Sequence, residues 1–143
     1  MKEEPIEIPR KGRRALDSVL TPYGFSFQNG SSGPSSGGQY ASGVYVNGNR
    51  KLEIHYRSSL GLVTYHFDEA FLDHPFYMRA LLGDKGGNKY PCFADDPLAT
   101  FEHLAFDLQH FARAFLEGNF EGFARLVTVA KEWNKIPGFA RLP

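Results

Sequence analysis

Cysteine is almost missing. Cys92 is the one thiol in 143 residues. An internal disulfide framework is therefore excluded, and so is a four-thiolate metal site within one chain. Net charge is missing too, because Lys and Arg total 16 and Asp and Glu also total 16. A neutral chain lacks the dominant basic face that non-specific nucleic-acid binding uses, so nucleic acid is not an expected partner. No apolar run approaches the ~18 residues of a membrane-spanning helix. The first residues, MKEEPIEIPRKGRR, carry charge without the apolar core of a signal peptide. The expectation is a cytoplasmic protein with no membrane partner.

What is present is apolar substance. Hydrophobic residues make up 42% and Phe, Tyr and Trp 15%, which argues against wholesale disorder. A chain of this length buries about two-thirds of its extended surface on folding. One domain is expected.

Residues 1–9 read as a loose arm, and 10–143 as a single α+β domain. Between Lys11 and Leu20, the residues Ala15, Leu16, Val19 and Leu20 share a stripe at helical spacing. Pro22 and Gly24 stop that helix. Residues 29–39, NGSSGPSSGGQ, hold four glycines, four serines and a proline. They offer little burial against the entropy of ordering, so a flexible loop is expected there. Three strands follow, at about Tyr40–Val46, Lys51–Arg57 and Leu62–Phe67. In the second, Leu52, Ile54 and Tyr56 alternate with Lys51, Glu53, His55 and Arg57. In the third, Val63, Tyr65 and Phe67 alternate with Leu62, Thr64 and His66. The turn signals place His55 beside Thr64, Arg57 beside Leu62 and His66 beside Glu53.

The rest reads as helix. Asp73 caps a helix over His74–Leu82, with Pro75 in its first turn and Gly83 beyond its end. Asp96 and Pro97 open a long helix ended by Gly118, and Asn119 caps a last helix that runs to about Trp133, with Pro137 closing the structured part. The expected order is α-β-β-β-α-α-α, a three-stranded antiparallel sheet packed against C-terminal helices.

Two constellations carry candidate chemistry. The polar sheet face groups His55, Arg57, Thr64 and His66. Arg57 suits a carboxylate or phosphate, and an imidazole moves a proton near neutral pH. Tyr45 joins these as the aromatic binding candidate, since rigid aromatic surface makes good contact anchors. The second constellation is His103, Asp107 and His110, at helical offsets of four and three. It is the weaker, metal-binding alternative, without an HExxH motif. Metal is not favoured and no cofactor is expected. Cys92, after Pro91, reads as a buried inert thiol. No GxSxG elbow or Walker loop occurs.

The run GxYxxGxYVxGxRKLExHxRxxLGxVxYH, from Gly38 to His66, and the later YPCFADDPLATFEHLAFDLQHF resemble a family of small bacterial α+β proteins without assigned activity. The resemblance covers about residues 12–118. Proteins of this kind look like toxin-neutralising immunity proteins, which implies protein binding rather than catalysis and assigns no catalytic residue. The expected function is a non-enzymatic cytoplasmic protein-binding module, immunity-like in kind. The partner is another protein, or a second copy in a homodimer. The alternatives are a small metal-dependent or acid/base enzyme, and a small-molecule binder using an aromatic pocket.

Overall fold

A computed structural model describes residues 8–35, 38–57, 59–90 and 97–134. Most of the arm over 1–9, Cys92, the Asp96 cap and Pro137 lie outside the described residues, as does the side chain of Trp133.

The chain is α+β, built on an antiparallel sheet. Helix α1 (Arg10–Leu20) precedes strands β1 (Ser26–Ser35), β2 (Gly38–Asn47), β3 (Arg50–Arg57), β4 (Ser59–Phe67) and β5 (Ala70–Asp73). Helices α2 (His74–Leu82), α3 (Pro97–Phe111), α4 (Arg113–Glu117) and α5 (Phe120–Asn134) follow. The strands lie side by side in chain order. The expected three-stranded sheet is thus corrected to five strands, and three later helices become four.

Each difference has a local cause. Within the Gly/Ser stretch expected to be a flexible loop, Asn29, Ser32 to Ser35, Gly38 and Gln39 are paired backbone. Ser26 to Asn29 pair with Val46 to Gly43, and after a bulge Ser32 to Ser35 pair with Ala41 to Gly38. Phe25 is buried and Phe27 packs edge-on to Tyr45 at 5.1 Å, which anchors the strand. Strand pairing then needs only backbone donors and acceptors, which composition does not display. Pro34 sits on an edge strand, where a missing N–H is tolerated. Strand β5 has four residues, too few for alternation to show. The long helix breaks at Ala112, whose ψ is 29°. Ala112 still donates to Leu108 and accepts from Leu116, so no Pro or Gly is needed and none marks the bend.

The β3–β4 register is two residues from the expected one. Glu53 pairs with Thr64 and Lys51 with His66, while beyond a bulge Arg57 pairs with Ser59, three residues from Leu62. A two-residue slip keeps every side chain on its face, so Leu52, Ile54, Val63, Tyr65 and Phe67 are buried as their alternation requires. Near the turn, β4 sets Gly61 and Leu62 against His55 alone. This bulge turns Leu60 into the core and leaves Leu62 exposed. The Tyr90 hydroxyl bridges the carbonyls of Leu60, at 2.9 Å, and Gly61.

The helices cover one face of the sheet, and the buried apolar side chains form one continuous cluster. Helix α1 lies against α3, where Gly12 faces the ring of Phe101. Arg50 reaches from β3 to the end of α4 and donates to the carbonyls of Phe115 and Leu116 at 2.7 and 2.6 Å. Both carbonyls lie in the last turn of α4, where the helix itself supplies few donors. Burial pushes the guanidinium below its ordinary value. Asn119 caps α5 as expected, its side-chain oxygen accepting from Gly122 N. Asp73 stands at the N-cap of α2 as expected, but its side chain makes no capping bond. Its carboxylate instead accepts from the Thr64 hydroxyl at 2.8 Å.

Candidate functional site

Because the helices take one face, the strands present the opposite face as ordered rows. One row runs Val44, Glu53, Thr64, Asp73; the next runs Val46, Lys51, His66, Phe71. Beside them, Ser42 pairs with His55. These positions carry the side chains that strand alternation directs away from Leu52 and Ile54.

At the centre, Glu53 is held by two imidazoles. His55 Nε2 lies 2.8 Å from one carboxylate oxygen, and His66 Nε2 lies 3.0 Å from the other. His55 is two residues along the same strand. His66 reaches diagonally across from β4, two residues beyond Thr64, the direct partner of Glu53. Burial alone would raise the Glu53 pKa. The hydrogen bonds and charges of the two imidazoles outweigh it, so the carboxyl sits below its ordinary value. Each ring is about a third or more exposed, so the cluster meets solvent.

A groove of about 400 Å³ opens beside this cluster, and Ser42, Asn49, Lys51, Glu53, His66 and Asp68 are among its walls. Asp68 holds a left-handed backbone, φ 54°. It is fixed there by its N–H bond to Asn49 O at 2.9 Å and by Asn49 Nδ2 donating to its carboxylate at 2.7 Å. Phe71 is 63% exposed, with its ring 6.3 Å from that of His66. A second recess of about 280 Å³ lies between β5, α2 and α5, walled by Phe71, Phe76, Val127 and Ala130.

The expected site residues separate. His55 and His66 meet on Glu53. Thr64 lies on the same face but is buried, and it donates to Asp73. Arg57 pairs through its backbone with Ser59, and its side chain lies outside the described residues. Tyr45 belongs to the core. It is 1% exposed, and its hydroxyl donates to Asp17 Oδ1 at 2.7 Å. An inward position on β2 takes it away from any surface contact.

The three side chains of the metal alternative on α3 lie in different surroundings. Asp107 is fully buried, while His110 is exposed and donates from Nδ1 to Phe106 O. His103 is half-buried. Among the described residues, no three His, Cys, Asp or Glu side chains are grouped to hold a metal ion.

Asp107 instead belongs to a chain that sequence reading missed. Tyr65 Oη is 2.7 Å from His74 Nδ1, and His74 Nε2 is 2.9 Å from Asp107 Oδ2. Backbone N–H groups of Lys89 and Tyr90 also donate to Asp107, at 2.6 and 2.8 Å. Burial holds the Tyr65 phenol well above its ordinary pKa. The Asp107 carboxylate accepts from His74 Nε2–H, so in the neutral ring Nδ1 is the acceptor for the Tyr65 hydroxyl. The signal for Asp107 was present. It stands three residues after Leu104 and seven after Thr100, both buried. Tyr65, His74 and Asp107 are sealed from solvent. Their arrangement ties the 86–90 loop and α3 to the sheet, and offers no approach to a substrate.

No family model matches this chain, and neither does any curated protein or solved structure. No helix among the described residues is long and apolar enough to cross a membrane.

Proposed function

We propose that this chain is a non-enzymatic protein-binding module of the immunity-like kind, working in the cytoplasm, and that its contact surface is the helix-free face of the sheet. The carrying observation is the groove beside Glu53. Its wall holds the partly exposed, hydrogen-bonded Glu53–His66 pair, and the exposed ring of Phe71 lies next to it, 6.3 Å from the ring of His66. Rigid aromatic anchors beside satisfied polar groups are what protein interfaces favour.

The described charges on this face are Lys51 against Glu53, Asp68 and Asp73. That balance favours a partner presenting basic side chains. The Arg57 contact with an acidic partner, suggested by its strand position, is not part of this reading.

The test is a footprint. Partners retained by the immobilised protein are bound to it in solution, and backbone hydrogen exchange is compared with the free chain. Slower exchange at 42–55 and 64–71, together with loss of binding in Phe71→Ser at an unchanged unfolding midpoint, supports the reading. Protection confined to α1, α3 and α5 would sink it.

A further inference from the structure

We propose that the outer groove is proton-gated: it holds a cationic side chain of the partner at neutral pH and releases it when His55 and His66 take up protons. The inference rests on the protein-binding reading above and adds its regulation.

Geometry carries it. Glu53 has one imidazole on each carboxylate oxygen, at 2.8 and 3.0 Å. A carboxylate offers about four acceptor positions, so each oxygen retains capacity for a guest donor. Imidazole is the side chain whose charge changes within the physiological range. The three groups together carry a charge of −1 with neutral rings and +1 with both rings protonated. The same hydrogen bonds persist in both states, because a protonated ring still donates from Nε2. The gate therefore changes charge without rearranging the sheet.

The neighbours shift the total but leave the change of two charges intact. From β3 the cluster faces Lys51. From β4 it meets Thr64, which is bonded to Asp73 on β5, and the turn after β4 supplies Asp68. From β2, Val44 and Ser42 stand opposite Glu53 and His55, and neither is charged. With neutral rings the sum is one lysine against three carboxylates, a charge of −2. With both rings protonated it is zero. A guest ammonium or guanidinium then meets two like charges at the carboxylate it would use. Glu53 itself stays ionised through this range, since the imidazoles hold its carboxyl below the ordinary value.

The experiment uses the full chain and a tetra-arginine peptide, followed by amide and imidazole resonances at pH 7.5 and 5.5 and equal ionic strength. The expected result is shifts at Ser42, Asn49, Glu53, His66 and Asp68 at pH 7.5. At pH 5.5 the affinity should be at least about tenfold weaker, the effect of a single proton displaced over one pH unit. His55→Gln with His66→Gln should bind the peptide equally at both values. Equal affinity of the parent at both pH values, with the footprint kept, overturns the gate and leaves the binding face standing. A pH dependence that survives in the double variant also overturns it. Shifts from tetra-glutamate, with none from tetra-arginine, overturn both the gate and the basic-partner reading.

Discussion

His74 and Asp107, 33 residues apart, meet at 2.9 Å with neither side chain exposed. The pair joins the start of α2 to the middle of α3, and the second oxygen of Asp107 accepts from the 86–90 loop. Asp107→Ala would strand three donors: His74 Nε2 and the N–H groups of Lys89 and Tyr90. Removing one partner of a buried pair costs about 3–5 kcal/mol. Asp107→Asn keeps one acceptor oxygen and should lose less. Urea unfolding of both variants checks the order. An Asp107→Ala midpoint equal to that of the parent contradicts the network.

Gly12 predicts an inverted rule. Gly to Ala in a helix interior ordinarily stabilises by roughly 0.5–1 kcal/mol. Here a Cβ would lie 2.5 Å from the Phe101 ring. That ring is buried and packs on Tyr56 at 5.8 Å, so it has little room to move. Gly12→Ala should therefore destabilise, by about 1–3 kcal/mol for overpacking. Adding Phe101→Leu should recover part of the loss. Thermal unfolding of the single and double variants measures both, and additive losses refute the contact.

The α+β class, α1, α2 and the core sides of β3 and β4 were legible because burial writes a period into side chains. Leu52, Ile54, Val63 and Tyr65 follow it. Strand β1 was not legible, because the stretch from Asn29 to Ser35 is held by backbone pairing that glycine and serine do not announce. The cluster on Glu53 was half legible. Alternation put Glu53, His55 and His66 on one face, while the bulge at Gly61–Leu62, which sets the register, has no signature beyond one glycine. Tyr45 misled because an aromatic ring serves a core as well as an interface, and Asp107 because a carboxylate suggests surface. Each is buried with its polar atoms bonded, to Asp17 and to His74.

Tyr45 yields a quieter test. Burial first, and then its bond to Asp17, raise the phenol well above its ordinary pKa, so the hydroxyl remains a donor through the neutral range. Tyr45→Phe keeps the ring packed against Phe27 and removes the 2.7 Å bond to Asp17, together with a longer one, 3.4 Å, to Arg13 O. A bond to a charged acceptor contributes about 1.5–3 kcal/mol. The half-buried position of Asp17 puts the expected loss at about 1–2 kcal/mol on the same scale. Denaturant titration should show a lower midpoint at an unchanged slope. A parent-like midpoint means that water replaces the phenol at no cost.

Glu53 gives a stability prediction separable from any partner. Its folded pKa is depressed, burial being outweighed by the bonds from His55 and His66. A depressed carboxyl binds fewer protons folded than unfolded. Its stabilising share is present above the unfolded carboxyl value of about 4.3 and is lost as pH falls through the folded value. Glu53→Gln removes that share, since an amide does not titrate. The side chain is 40% exposed, so solvent screening limits the effect to about 1 kcal/mol or less. The difference between parent and Glu53→Gln should be constant from about pH 5 to 6 and shrink towards about pH 3. Adding 1 M salt at pH 6 should also shrink it, because the pair is open to screening ions. A gap that widens as pH falls below about 4 would show that the carboxyl is held up by burial rather than down by the imidazoles.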